Sequence, residues 1–462
     1  MPPSGPATSI HEPARDTPVC HQADLCVVGG SCTGVFAAVR AARLGLSVAL
    51  VEQTTLLGGM AVAAQVNEWH SVNDTTGTRT IIGGLTLEVV ERLRRRGALQ
   101  EISPVHRGQF RFNSAELAAE LDQLVREHPS IRVFLAARCV AATRDAARVT
   151  AAVIEDRSGR RAITAPLFID ASGDGNLLRH AGFAAEKPDR LQPVNLQAIA
   201  AGFDALPAPP DWTDLQPRLA AHDYPAANGR PWHFPVPGAP ALRNLFGARL
   251  NGIDASDADA HTAALLEGRR LHRAYLDIVR AHTGDAPLSL VAWAHALGVR
   301  ETWHARCHHR LTGDEILRGQ TFDDTIAQGT YPVDIHSAEG TILRYLDGRE
   351  EVVPKTGPTT WRRWCPEGAP VPACYHIPYR SLLPLEAENL LVAGRLLDAD
   401  REAFGGVRVM VNMNQTGEAA GVAAALALRA GTGFPHVSPS RLRAELNAGG
   451  SLLLPGKTNQ IG

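Results

Sequence analysis

A glycine-rich turn near the start of the chain has the composition of a phosphate-binding loop. Residues 27–34 read Val-Val-Gly-Gly-Ser-Cys-Thr-Gly, which matches the pattern G-x-G-x-x-G with Ser31 in place of its middle glycine. The first glycine permits a tight turn, and the last permits close packing of a helix on a strand. Amides at the helix N-terminus, aided by the helix dipole, bind a pyrophosphate. We therefore predict a dinucleotide site formed by Gly29, Gly30, Ser31, Cys32, Thr33 and Gly34.

An acidic residue supports the same interpretation. Glu52 follows Gly34 by 18 residues, at the end of the next predicted strand. A carboxylate in this position hydrogen-bonds the ribose hydroxyls of a dinucleotide. It would also repel a 2′-phosphate, which argues against NADP. This motif alone leaves FAD and NAD open.

Three later segments favour FAD. A glycine pair, Gly58 and Gly59, comes soon after Glu52, in a connection too long for a plain strand-to-helix turn. Glycines in such a segment let the backbone approach a ligand closely. Another predicted strand ends at 171–174, where the sequence Ala171, Ser172, Gly173, Asp174 allows the same approach. A third ends at Gly394 and leads to a small-residue helix whose N-terminus would face a flavin.

Strands and helices alternate in the first third of the chain. Such alternation predicts an α/β fold with a mainly parallel sheet. Asn113 and Ser114 have the residue types of a helix N-cap. The predicted strands are 25–28, 47–51, 132–139, 149–154 and 165–170, and the predicted helices are 34–44, 85–96 and 114–127.

The composition changes along the chain. Six of the seven Trp and all six Tyr lie between residues 212 and 379, whereas the flanking thirds are rich in Ala, Gly, Val and Leu. This shift predicts one discontinuous domain with a second domain inserted into it. The predicted parts are a flexible tail (1–22), a cofactor domain (23–185 and 386–440), a substrate domain (186–385) and a C-terminal tail segment (441–462).

Overall composition excludes several classes of protein. The 46 basic and 48 acidic residues give a net charge of −2, so no excess basic charge indicates a nucleic-acid partner. The start of the chain has no apolar signal segment, and no stretch reaches the roughly 18 apolar residues that a membrane span needs. The seven cysteines are odd in number and include no C-x-x-C pair, which predicts reduced thiols and a cytoplasmic location.

Together these motifs resemble the FAD-dependent oxidoreductases of the glutathione-reductase-like (GR-type) superfamily. The resemblance rests on GGSCTG, Glu52, LGGMA, FIDASGDG, LGVRETWHARCHHRLTGDEILRG, YPVDIH, YHIPYRSLL and NLLVAGRLLDADREAFGGVRVM, and it covers about residues 23–200 and 290–430. It implies a discontinuous GR-type Rossmann domain that binds FAD, with an inserted mixed β-sheet and helical substrate domain. The pyrophosphate would lie at residues 29–34 and the ribose at Glu52.

The resemblance also implies contacts along the rest of the cofactor. Gln53 and the backbone near Val140 would lie beside the adenosine. The ribityl chain and the isoalloxazine ring would lie against residues 58–61 and 407–410. The residues implied here are Gly58, Gly59, Met60, Ala61, Gly394, Arg395, Val407 and Met410.

Oxidation of a C–H bond by a flavin also needs a base and an anchor for the substrate. A histidine is the first expectation for the base because its ordinary pKa lies near neutrality. His376 and His336 are the candidate bases, and His70 is a third. Arg300 and Arg380 are candidate anchors for an anionic group. Residues 300–310 alternate as a strand would, which would give this run one basic face.

The sequence predicts no metal site, because adjacent residues such as Cys307 and His308 would point to opposite faces of a strand. With only one dinucleotide fingerprint, no place for NAD(P)H is evident. We expect a dehydrogenase or oxidase that takes hydride from a C–OH or C–N carbon of a small polar molecule to flavin N5, with oxygen, a quinone or a carrier as electron acceptor. The alternatives are a monooxygenase or reductase that uses NAD(P)H, and a nucleotide-binding protein without catalysis.

Overall fold

The computed structural model describes residues 9–102, 108–206, 212–221, 232–247, 249–284, 286–354 and 357–454. The helices are α1 Cys32–Arg43, α2 Gly84–Arg95, α3 Ser114–Arg126, α4 Asn176–His180, α5 Trp212–Ala221, α6 Ala258–His282, α7 Gly313–Leu317, α8 Arg401–Val407, α9 Met410–Ala430 and α10 Pro439–Ala448. The strands are β1 Val19–Gln22, β2 Leu25–Val28, β3 Val48–Val51, β4 Glu68–His70, β5 Leu99–Ile102, β6 Gln109–Phe112, β7 Ile131–Phe134, β8 Arg138–Asp145, β9 Arg148–Asp156, β10 Gly159–Thr164, β11 Leu167–Asp170, β12 Ala185–Glu186, β13 Val194–Asn195, β14 Ala198–Ala201, β15 Trp232–Val236, β16 Ala239–Phe246, β17 Arg249–Leu250, β18 Ser289–Trp293, β19 His304–Ala305, β20 Thr325–Gly329, β21 Val333–His336, β22 Gly340–Arg344, β23 Arg349–Pro354, β24 Thr360–Arg363, β25 Tyr375–Pro378 and β26 Leu390–Val392. Among these helices, none is both long and apolar enough to cross a membrane.

A parallel sheet of order β26-β11-β2-β3-β7 forms the centre of the molecule. Its four-residue strands β2, β3 and β11 are fully buried, as a parallel sheet covered on both faces requires, and they are apolar except for Asp170 at the end of β11. The register pairs Val28 with Val51 and with Asp170, and Asp170 with Val392. These four strands therefore end at the same edge of the sheet. The mixed α/β fold with a parallel sheet agrees with the prediction.

Two helices from opposite ends of the sequence pack against each other beside this sheet. A Cβ atom added to Gly421 of α9 would lie 2.2 Å from the carbonyl oxygen of Ala37 in α1, and one added to Gly417 would lie 2.0 Å from that of Thr33. The two backbones thus approach more closely than any side chain allows. This contact holds the C-terminal part of the chain against the N-terminal dinucleotide turn.

The interior divides into two cores. The larger one surrounds the parallel sheet and also includes later residues such as Leu311, Ile326 and Ile377. The smaller one contains residues between Val194 and Val299, where α6 packs with the antiparallel sheet of order β15-β16-β14-β18. The predicted substrate domain, 186–385, therefore contributes to both cores.

Several predicted elements differ from the structure. Val19–Gln22 pair with β10, so the predicted flexible tail 1–22 is wrong at its end, and residues 1–8 lie outside the described residues. The predicted strand 132–139 is two strands, because Ala136 has a positive φ of 51° and turns the chain between them. The predicted C-terminal tail segment contains most of α10, with Leu442 and Leu446 buried. The alternating run 300–310 forms only the short strand β19, so its predicted basic face is wrong.

We expect Gly421→Ala to lower the free energy of unfolding by about 1–3 kcal/mol, because the new methyl group would push α1 and α9 apart. In an uncrowded helix the same change would instead stabilise the protein by roughly 1 kcal/mol. Urea unfolding monitored by circular dichroism measures the difference, with Ala430→Ser at the exposed end of α9 as control. A stabilised Gly421→Ala variant would contradict this packing.

Candidate active site

One cavity of about 600 Å³ runs along the edge where the strands of the parallel sheet end. One end is lined by the glycine turn after β2, by Glu52 after β3 and by Ala171 after β11. The other end is lined by charged and aromatic residues of β15, β16, β17 and β21. Residues from the regions of both cores therefore line this one cavity.

The backbone of the dinucleotide turn has the predicted geometry. Gly29 has a φ of +108°, which favours glycine, and a Cβ atom on it would lie 2.4 Å from the carbonyl oxygen of Ala171. A Cβ atom on Gly34 would lie 1.8 Å from the carbonyl oxygen of Gly29. Ser31 is the N-cap of α1, and its hydroxyl accepts a hydrogen bond from the Gly34 amide at 3.5 Å. Ser31, at the position of the middle glycine of the motif, therefore caps the helix and does not block the turn.

The carboxylate of Glu52 is buried at the floor of this end of the cavity, with only 5% of the residue exposed. Its Oε2 accepts from the Gly30 amide at 2.7 Å, and its Oε1 accepts from the Thr54 amide at 2.7 Å. Glu52 therefore links the glycine turn to the end of β3. It presents negative charge to the cavity and disfavours a second anionic group beside it.

A partly buried arginine lines the same cavity as the glycine turn. Arg395 lines the cavity after Gly394, and a Cβ atom on Gly173 would lie 2.5 Å from its Nη2. Nη2 lies 3.6 Å from the Asp174 carboxylate, while the buried Nη1 has no hydrogen-bond partner among the described residues. An unpaired guanidinium nitrogen beside a phosphate-binding turn is suited to an anionic oxygen.

The predicted cofactor residues divide into two groups. Those that line the cavity are Gly29, Ser31, Cys32, Thr33, Glu52, Gln53, Gly58, Gly59, Met60, Ala171, Ser172, Gly173, Gly394, Arg395 and Met410. Those that do not are Gly30, Gly34, Ala61, Val140, Asp174 and Val407.

Each predicted residue outside the wall is adjacent in sequence to one that lines it. Any side chain on Gly30 or Gly34 would collide with neighbouring protein atoms, so these glycines shape the turn from behind. Near Val140, Cys139 and Ala137 line the cavity. Within the predicted segment 407–410, Arg408, Val409 and Met410 line it, whereas Val407 is the last residue of α8 and is fully buried in the larger core.

At the other end of the cavity, a buried carboxylate organises several polar side chains. Asp334 in β21 accepts from the Tyr331 hydroxyl at 2.6 Å, from Arg408 at 3.0 Å and from Nε2 of His336 at 3.1 Å. These partners hold its pKa well below the usual range despite burial. Asp334 is therefore ionised, and it fixes the orientation of each group that donates to it.

His336 has defined roles for both ring nitrogens. Since Nε2 donates to Asp334, Nδ1 is the acceptor, and it lies 2.8 Å from the Thr341 hydroxyl and 3.3 Å from Nη1 of Arg249. Burial, with Arg249 and Arg300 nearby, lowers the pKa of His336 to about 3. The imidazole is therefore neutral at physiological pH, with its basic nitrogen towards Thr341, which also lines the cavity.

Two of the four predicted catalytic residues lie elsewhere. His376 does not line the cavity; it lies in β25, with Nε2 3.8 Å from Sγ of Cys374. Arg380 is half-exposed and donates to the Asp324 carboxylate at 2.9 Å. Neither side chain lines the cavity, so the structure does not bring these two predicted catalytic residues to it. His336 and Arg300 do line it, as does His70 in β4.

Sequence reasoning missed Arg249, Arg408, Asp334 and Tyr331. Tyr331 and Asp334 lie in YPVDIH, the motif that also contains His336, and Arg408 lies in the predicted flavin segment 407–410. Their neighbours therefore gave a usable signal. Arg249 belongs to the two-residue strand β17 and follows no motif.

Comparison with known proteins agrees with this geometry. A family model described as FAD dependent oxidoreductase matches residues 24–446. The chain belongs to this family. Among curated proteins, none matches the sequence significantly.

Many solved structures resemble the chain over most of its length. A geranylgeranyl bacteriochlorophyll reductase-like protein from Thermoplasma acidophilum is 14% identical over 93% of this chain and 83% of that one, with a TM-score of 0.46. The p-nitrophenol 4-monooxygenase of Pseudomonas putida is 9% identical over 94% and 90%, with a TM-score of 0.43. A myxobacterial chondrochloren halogenase is 16% identical over 92% and 78%, with a TM-score of 0.41.

By its family, the protein is an FAD-dependent oxidoreductase, and the cavity fits that cofactor. Gly29 and Ser31 at the start of α1, with the unpaired Nη1 of Arg395, would hold the pyrophosphate. Glu52 would hold the ribose. Gly59 and the start of α9 would lie against the flavin, whose pyrimidine oxygens the helix dipole attracts.

We expect Glu52→Gln to weaken FAD binding by about tenfold to a hundredfold, because a charged acceptor is lost. The amide group of glutamine also cannot accept from Gly30 and Thr54 at once. Quenching of flavin fluorescence during titration measures the dissociation constant. Glu388→Gln, a surface change at a side chain that is 56% exposed, is the control. Equal FAD affinity in both variants would contradict the role of Glu52.

His376 gives a prediction on pH. Burial and Arg443 lower the pKa of His376 to about 4. At about pH 5 its side chain is therefore neutral in the folded protein, whereas in the unfolded chain it is protonated. Stability is therefore lost as the pH falls below the unfolded pKa. When the pH is lowered from about 7 to about 5, the free energy of unfolding should fall by about 2 kcal/mol less in His376→Gln than in the parent. Urea titrations of both proteins at each pH measure the difference, and parallel pH profiles would show that His376 is charged in the fold.

Proposed function

We propose that the protein is a dehydrogenase or oxidase that removes hydride from a C–OH or C–N carbon of a small polar substrate. The observation that carries this proposal is the junction of two sites in one cavity: the dinucleotide turn at one end and the Asp334 cluster at the other. When bound, FAD accepts the hydride and thereby supplies the two-electron oxidation. The chain itself must position the substrate and receive the proton.

His336 is the proposed proton acceptor. Asp334 holds its Nε2–H and leaves Nδ1 basic, an arrangement that fixes the tautomer as a general base requires. The Thr341 hydroxyl, 2.8 Å from Nδ1 and exposed to the cavity, would pass the proton from the substrate to the ring. The imidazolium formed there would be stabilised by the Asp334 carboxylate.

The proton affinity of His336 depends on what occupies the cavity. Burial lowers its pKa most, and Arg249 and Arg300 lower it further. A substrate that offsets these positive charges would raise this pKa. The base would then be most effective when substrate is bound.

Apolar side chains define the size of the substrate. Trp232, Phe246, Leu343 and Val353 line the same end of the cavity as the charged cluster. They would pack against a short carbon skeleton while the polar groups hold its ends. This wall supports a small molecule with few carbons between polar groups.

We expect His336→Gln to retain FAD but to slow reduction of the flavin by substrate by about a hundredfold to ten-thousandfold, the usual contribution of a general base. The test is anaerobic bleaching of the flavin band by hydroxy acids, amino acids and polyols, followed by stopped-flow kinetics with the best substrate. His376→Gln, which also replaces a buried histidine, is the matched control.

Two outcomes would overturn this proposal. Bleaching by NADPH or NADH alone, with none by the panel, would assign the protein to the reductive flavoenzymes. If His336→Gln reduced the flavin as fast as the control while His70→Gln did not, the base would be His70.

A further inference from the structure

The end of the cavity beyond the dinucleotide site contains an excess of positive charge. Three guanidinium groups line it, those of Arg249, Arg300 and Arg408, against the single carboxylate of Asp334. Glu68 also lines the cavity, but it forms an ion pair with Arg111 and adds no net charge. His336 is neutral. The wall therefore has two more positive than negative charges.

The hydrogen bonds of the cluster do not remove this excess. Arg300 donates to the carbonyl oxygen of Pro193 at 2.7 Å, and Arg249 donates to Nδ1 of His336. Both acceptors are uncharged. Arg408 has the only direct ion pair with Asp334 among these three arginines, and its own Nε is buried without a partner in the described part of the chain.

The arginines also act on each other. Burial, followed by repulsion from Arg249 and Arg408, lowers the pKa of Arg300 to about 9. Burying like charges in one cavity costs free energy, which a protein tolerates where a ligand offsets it. Because guanidinium groups pair with planar or tetrahedral oxyanions through two parallel hydrogen bonds, an oxyanion is the matching ligand.

We infer that the substrate is a small dianion, held by Arg249, Arg300 and Arg408 with its short carbon chain against Trp232 and Phe246. That this dianion is the substrate rests on the proposed function, whereas the selectivity for charge is a property of the cavity itself. A dicarboxylate and a phosphate monoester both meet the charge requirement. The reacting C–OH or C–N carbon would lie between the anionic group and His336.

The test is isothermal titration calorimetry on the FAD-loaded protein with probes that differ in charge. Dicarboxylates from malonate to adipate and glycerol phosphate are the dianions, butyrate is the monoanion, and butanediol is the neutral compound. We expect the best dianion to bind at least about tenfold more tightly than butyrate, and butanediol to bind more weakly still. The tighter dianion class identifies carboxylate or phosphate as the natural group.

Arg300→Gln should weaken anion binding without lowering the thermal stability of the protein. Loss of one guanidinium should weaken binding of the best dianion by about tenfold or more, and Arg300→Lys, which keeps the charge, should lose less. Without an anion, the same Arg300→Gln change removes a repelled charge, so its thermal midpoint should equal or exceed that of the parent. Arg318→Gln, at a side chain 72% exposed just after α7, is the control and should change neither quantity.

Each contrary result has a distinct meaning. If no dianion binds more tightly than butyrate, or if Arg300→Gln keeps full affinity, the inference is wrong. A lowered flavin midpoint potential in Arg300→Gln with unchanged anion affinity would also overturn it, because the charge would then serve the reduced flavin. If dianions bind but nothing in the panel bleaches the flavin, the proposed oxidation fails and the charge selectivity remains. If neutral polyols bleach the flavin and dianions do not bind, the proposed oxidation remains and the charge selectivity is wrong.

Discussion

The site depends on the register of four parallel strands. Because Val28, Val51, Asp170 and Val392 are aligned, the residues that follow them leave the sheet at one edge, and that edge is where backbone amides and helix N-termini become available to a ligand. The last of these strands is more than 200 residues from the others in the sequence. A shift of one residue in any pair would turn its buried side chains to the other face of the sheet and separate the groups at the edge.

Helices α1 and α9 are far apart in the sequence, and their contact brings α9 to the cavity. α9 carries Met410 and Met413 to the cavity only if it lies directly on α1, and glycine is the residue that permits backbone-to-backbone contact. The same chain segment brings Arg408, one residue after α8, to the charged end of the cavity. The contact between α1 and α9 therefore positions the cofactor cradle and part of the substrate wall together.

Local motifs were predictable because their function is encoded locally. The turn at Gly29, the acid at Glu52 and the N-cap at Asn113 each depend on a few adjacent residues, and the structure has them where the sequence predicts. The charged cluster could be predicted only in part, since Arg249, Arg300, Asp334 and Arg408 come from four separate segments. Alternation within 300–310 was misleading, because tertiary contacts such as those of Thr302 with Asp174 and of Cys307 with Asp398 fix this run in an irregular path.

A structure of the protein with both FAD and its best-binding dianion tests the account most directly. The account predicts both ligands in the one cavity, with the flavin ring between Gly59 and Met410 and the anion in contact with at least two of Arg249, Arg300 and Arg408. A flavin ring placed away from these residues, or an anion bound elsewhere on the protein, would contradict it.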